Sequence, residues 1–166
     1  ATRYMMLSKS SDQSIDFDIE VAKKKDASNP VYYVQYAHAR ICSILRKAAE
    51  ARGVDTTNTS VSDLASVLKI DTANLSMLTH ESELELMRKM ADFTDLIAGA
   101  ARDRAPFRLT HYAQDLASLF HSFYTNCRVI GEDEELEQAR LALADSARIV
   151  LALTLSLLGV SAPEHM

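Results

Sequence analysis

Tyr32, Tyr36, Arg40, Ser43 and Lys47 recur every three or four residues. On a helix they make one stripe of two flat rings, a guanidinium, a hydroxyl and an ammonium. That set suits single-stranded RNA. Its splayed bases stack on aromatic or guanidinium planes, and donors meet base edges and phosphates. Such stacking contributes about 1–3 kcal/mol per base. His121, Tyr124 and Arg128 repeat the aromatic-plus-basic theme at i, i+3 and i+7, beside Phe120 and Phe123. Two such stripes on neighbouring helices would frame one groove. A plainer reading has Tyr32 and Tyr36 half-buried against another helix, Arg40 paired with a carboxylate, and Arg128 lying along a helix edge. Packing is the commoner use of an interface tyrosine, and the residues alone leave both readings open.

The elements that must carry these stripes are helices. Asn29 can cap and Pro30 suits the first helical position, so a long helix is expected from about Pro30 to Arg52, stopped by Gly53. Tyr33, Ala37, Ile41, Ile44 and Ala48 form its core face. A second long helix is expected from Glu81 to Asp103. A third should run from about Pro106 to Val129, with Leu109, Tyr112, Leu116, Phe120, Phe123 and Cys127 on its apolar face. Acidic "EDEELEQ" opens a fourth, where the helix dipole favours it, and this runs to about Leu158 before Gly159. Shorter helices are expected over residues 2–8, after Asp16, and over 62–70, with residues 53–61 polar and mobile. No strand, repeat or low-complexity block stands out. The expected fold is all-α, a bundle of about four long helices.

The bulk composition narrows the function classes. The chain has 166 residues, 48% hydrophobic and 25% charged, with only four Gly and three Pro. That is enough for one helical domain, or one domain and a fragment. The net charge of −5 argues against a purely electrostatic nucleic-acid binder, though it permits a local basic stripe. No apolar run reaches the roughly 18 residues of a membrane span. Cys42 and Cys127 are too few for a disulfide framework or zinc set and suit buried positions in a reduced, cytosolic setting. The five histidines show no metal-ligand spacing, and no nucleophilic triad or phosphate loop is visible. "AKKKDAS" is either a solvated linker or a phosphate contact, and Arg102, Arg104 and Arg108 are either ion-paired or phosphate-facing. The opening "ATRYMML" starts on a helix-like pattern without Met or leader, as expected for a chain cut from something longer.

"NPVYYVQYAHARICSIL" resembles the start of the anticodon-binding helical domain of the arginyl-tRNA synthetase family. The resemblance continues in order through "RYMML" and "IDFDIEVA" upstream, "APFRLTHYAQDLASLFHSFYTNCRV" downstream, and a final "LLGVSAPEHM". It covers essentially the whole chain and is weakest over residues 53–80. It implies the all-α DALR domain shared by several class I synthetases, and docking of the anticodon loop of arginine tRNA. By the same resemblance Tyr36, Arg40 and Tyr124 contact the loop and Met166 approaches it, with Tyr32, Lys47, His121 and Arg128 as further candidates. Gln35 and His38 belong to the motif but point in directions as suited to packing as to RNA. His165 stands where the family usually has Arg.

These readings divide the chain into residues 1–28, a remnant of the catalytic domain with a connecting helix, and 29–166, the DALR domain. The HIGH motif of a synthetase is missing, and "MLSKS" at residues 6–10 only mimics its KMSKS loop. The fragment is therefore expected to bind RNA without catalysis, metal or cofactor. ATP and Mg belong to an arginine-tRNA ligase parent. The expected partners are arginine tRNA and the catalytic domain of the same polypeptide, in a monomeric, cytoplasmic protein. The alternatives are a helical protein-interaction module using the tyrosine stripe and, more remotely, a catalytic fragment using Lys9.

Overall fold

The fold follows from where helices can be capped and which of their faces are apolar. A computed structural model describes residues 1–10 and 12–166. Among the described residues eight α-helices follow in order: α1 (Thr2–Leu7), α2 (Ile19–Lys23), α3 (Pro30–Ala51), α4 (Val61–Val67), α5 (Glu81–Ala91), α6 (Phe93–Arg102), α7 (Phe107–Asn126) and α8 (Glu134–Leu157). Two 3-10 turns, Ile70–Thr72 and Leu75–Met77, lie between α4 and α5, and no strand occurs among the described residues.

Asn29 sets the start of α3. Its side-chain oxygen accepts from the backbone N–H groups of Val31 and Tyr32, while its amide donates to the Ala22 and Lys24 carbonyls. One buried residue thus caps α3 and fixes the link from α2. Gly53, at φ +77°, takes the left-handed conformation that ends the helix. At α5, His80 and Glu83 form a capping box, and the buried Glu83 carboxylate also accepts from Arg140 Nε at 2.7 Å.

Helices α3, α7 and α8 pack on one another, α5 lies against α7 and α8, and α4 covers α3. Ile41, Leu45, Leu116, Phe120, Phe123, Leu151 and Leu155 fill the centre. Residues 1–28 share this core through Tyr4. Its ring is fully buried and its hydroxyl donates to the Thr110 carbonyl at 2.7 Å.

The structure departs from the expected four long helices in two places. The helix expected over Glu81–Asp103 is two helices that break at Asp92. The break lets Phe93 turn inward and meet the Tyr112 ring, centroids 5.4 Å apart. Helix α7 ends at Asn126, short of Val129, and Cys127 is already extended, at φ −122° and ψ 125°. Cys127 and Val129 are both buried and Arg128 between them is exposed. The period has changed from that of a helix to that of an extended chain.

Candidate nucleic-acid interface

Helix α3 presents three stripes. Val34, Ala37, Ile41, Leu45 and Ala48 are buried and join the core. On the outer face Tyr36 is 37% exposed, Arg40 and Lys47 are exposed, and Tyr32 and Ser43 are half-buried. Gln35, His38, Cys42 and Arg46 lie between, at spacings of three or four, and Gln35, His38 and Arg46 meet residues 161–164.

The outer stripe joins α7 through aromatic contacts. The Tyr32 and Tyr36 rings are near-parallel, with centroids 6.4 Å apart and planes at 15°. Tyr36 continues onto His121 at 6.1 Å and 6°. Arg40 lies over the Tyr124 ring, 5.0 Å from its centroid, and Nη1 donates to the Tyr36 hydroxyl at 3.2 Å. Tyr32, Tyr36 and Arg40 of α3 and His121 and Tyr124 of α7 thus form one surface. Arg40 makes no ion pair among the described residues; the carboxylate that shares its groove, Glu164, is paired with Arg46 instead. The carboxylate pairing of the plainer reading does not describe Arg40 among the described residues, whereas Tyr36 does pack in part, against His121 of α7.

His121 is held in one tautomer. Nδ1–H donates to the Ala117 carbonyl at 2.7 Å, which makes Nε2 the acceptor nitrogen. Burial lowers its pKa from the ordinary imidazole value, opposed by the Ala117 bond and assisted by nearby Arg40. At neutral pH it presents a flat, uncharged ring.

Residues 161–166 make the other side of a groove. Gln35 Nε2 donates to the Ser161 carbonyl at 2.8 Å, and His38 Nδ1–H to the Pro163 carbonyl at 2.8 Å. Arg46 donates to the Glu164 carbonyl at 3.2 Å and pairs with the Glu164 carboxylate. Tyr36, Ala39, Arg40 and Ser43 then face Glu164, His165 and Met166 across about 220 Å³ of open space. Met166 is 53% exposed at this rim. Burial lowers the pKa of His38 and pushes the Cys42 thiol up to about 11, so Cys42 is an inert buried thiol.

One candidate sits differently from its sequence placement, and another lies on its stripe but outside the groove. Arg128 is not on the α7 stripe, because the helix has ended before it. Its Nε donates to the Ile130 carbonyl at 3.0 Å, and it shares a separate shallow hollow with Tyr124. Lys47 continues the exposed stripe but does not line the groove. The contribution of Gln35, His38 and Arg46 was hidden in the sequence, because their partners lie 118 to 126 residues away. Their polar stripe beside the tyrosines was its only local sign.

Some members of the remaining clusters have structural partners. Arg108 pairs with Asp103 at 2.7 Å, and Glu137 both pairs with Arg52 and accepts from the Gly131 N–H. Among the described residues no three His, Cys, Asp or Glu side chains gather to hold a metal ion. Nor is any helix long and apolar enough to cross a membrane.

A bundle of this architecture, with an aromatic and basic surface on one side, has known counterparts. The DALR anticodon binding domain model matches residues 34–166, and the chain belongs to that family. It is 50% identical over its whole length to an arginine–tRNA ligase of Symbiobacterium thermophilum, where it covers 28% of the relative. It is 48% identical to one of Dehalococcoides mccartyi, where it covers 27%. The chain thus spans little more than a quarter of the length of these relatives. The solved arginyl-tRNA synthetase of Thermus thermophilus superposes with a TM-score of 0.74 at 31% identity. That match covers 99% of this chain and 26% of the solved one.

Proposed function

We propose that this chain captures the anticodon loop of arginine tRNA and serves as the RNA-docking part of an arginine–tRNA ligase. The observation that carries the reading is Arg40. A guanidinium with no carboxylate partner among the described residues is fixed over Tyr124 and against Tyr36, next to an aromatic row and an open groove. Membership of an anticodon-binding family supports the nucleic acid as partner. The identity of the relatives supports arginine tRNA.

In this reading Tyr36 and Tyr124 offer stacking faces for unstacked loop bases, Tyr32 and His121 extend the row, and Arg40 donates to a base edge or phosphate. Met166 flanks the same base, and Lys47 and Arg128 add phosphate contacts at the margins. Residues 1–28 connect to the catalytic domain of the same polypeptide and 29–166 form the docking domain. Arginine attachment, with ATP and Mg, belongs to that other domain, and the parent is a cytoplasmic monomer.

The test is a fluorescence-anisotropy titration of the full chain against an arginine-tRNA anticodon stem-loop and the same loop with its middle anticodon base changed, at two salt concentrations. Tighter binding to the unaltered loop, weakened by salt and lost on Tyr36→Ala, is expected. Binding indifferent to both base and salt overturns the proposal.

A further inference from the structure

The chain's own tail forms a wall of the groove, and it is held there by side chains that do not face the groove. Residues 161–166 run alongside α3 without secondary structure of their own. Their carbonyls therefore need partners from elsewhere. Ser161 takes Gln35, Pro163 takes His38 and Glu164 takes Arg46, so the tail advances in the same direction as the helix. His38 is 3% exposed, so its bond to the Pro163 carbonyl is sheltered; the Arg46 side chain is 14% exposed but its partner Glu164 is 44% exposed, so that attachment lies at the surface. Val160, just before the first polar attachment, and Ala162, between the first two, pack against the core. Beyond the last attachment, His165 and Met166 face Tyr36, Arg40 and Ser43.

We propose that Gln35, His38 and Arg46 are positioning residues that set base selectivity by fixing residues 161–166 as the second wall of the groove. The inference rests on the anticodon-loop reading and adds to it how the site discriminates. One platform of rings accepts any base, because every base has a stacking face. Discrimination requires a second surface at a fixed distance. A wall already held in place costs less ordering on binding than a loose tail would. Arg46 acts through Glu164 and not through RNA, so its loss changes selectivity more than salt dependence.

The test breaks the clamp from both sides in the full chain, with Arg46→Ala on the helix and Glu164→Ala on the tail. Arg46→Lys is the conservative variant, and the melting temperature checks that each is folded. Carboxypeptidase digestion without RNA reads whether residues 161–166 are released. The ratio of affinities for the unaltered and middle-base-changed stem-loops then reads selectivity. The expected result is faster digestion of the tail in both alanine variants and a selectivity ratio reduced about tenfold. The Arg46→Ala salt slope should be unchanged and Arg46→Lys should recover part of the ratio. The double variant should do no more than either single one, as for two partners of one contact. A released tail with an unchanged ratio overturns the inference and leaves the function standing. So does a tail that neither alanine variant releases. If the unmodified chain does not distinguish the two loops, the functional reading itself fails and this inference with it.

Discussion

Two places in the molecule set a cation over a tyrosine ring, and they have opposite uses. Lys89 of α5 lies 5.1 Å from the centroid of Tyr112, and Arg40 of α3 lies 5.0 Å from that of Tyr124. Around Tyr112 every polar demand is met inside the protein. Lys89 pairs with Asp115 at 2.7 Å, the Tyr112 hydroxyl donates to the Lys89 carbonyl at 2.9 Å, and Phe93 covers the ring. Burial raises the Tyr112 pKa, so the hydroxyl stays a proton donor. Around Tyr124 the same ingredients are incomplete. Arg40 has a neutral hydroxyl for company, and Tyr36 beside it is exposed. A neutralised cation over a buried ring joins helices, whereas an unneutralised one over a half-open ring is available to an anion and a base. The presence of a carboxylate within reach, more than the aromatic residue type, separates structure from site.

The contrast is broken most strongly at Tyr112. Tyr112→Ala removes a buried ring and should cost about 3–5 kcal/mol of stability, read as a large drop in denaturation midpoint. Any folded remainder should keep its preference for the unaltered stem-loop, and a specific loss of that preference would erase the distinction. Tyr36→Ala should do the reverse. Its stability should change by no more than about 0.5 kcal/mol, with a loss of about 1–3 kcal/mol in loop affinity. A destabilisation as large as that of Tyr112→Ala would show Tyr36 to be core.

The contrast is sharpened by giving Arg40 what Lys89 already has. Ser43→Asp places a carboxylate one helical turn from Arg40, and pairing there should weaken loop binding and lower the salt slope by about 1. An unchanged slope would mean that Arg40 never meets the RNA.

A further test concerns pH. His38 and His121 both have pKa values lowered by burial, below the ordinary 6.5, so the unfolded chain binds more protons than the folded one as pH falls through that value. Stability from these two groups is present above pH 6.5 and declines as the medium is acidified toward their folded values. Urea midpoints across that range should fall, less steeply for His121→Gln. The smallest effect is expected at the margin of the site. Lys47→Ala should remove about 0.7 from the salt slope without altering base preference, as for one phosphate contact to a single strand.

Local rules carried much of the fold into the sequence. Asn29-Pro30, Gly53, the acidic start of α8 and Gly159 are end signals that act through backbone bonds a few residues away, and apolar spacing marked the faces of α3 and α7. Where distant packing competes with local preference, those signals fell short. The break at Asp92 answers to Tyr112 twenty residues on, and the early end of α7 answers to the burial of Cys127 and Val129.

The candidate site divides the same way. The stripe of Tyr32, Tyr36, Arg40 and Lys47 is a matter of helical period, so the sequence by itself determined which of these residues share a face. Whether that face would be covered was decided only when α3, α7 and α8 came together. Their packing left Tyr36 open and brought His121 beside it. No local rule could show that Gln35, His38 and Arg46 turn to the chain's own end. A hydrogen bond between residues more than a hundred positions apart is fixed by how the helices pack, and spacing along the chain carries no record of it.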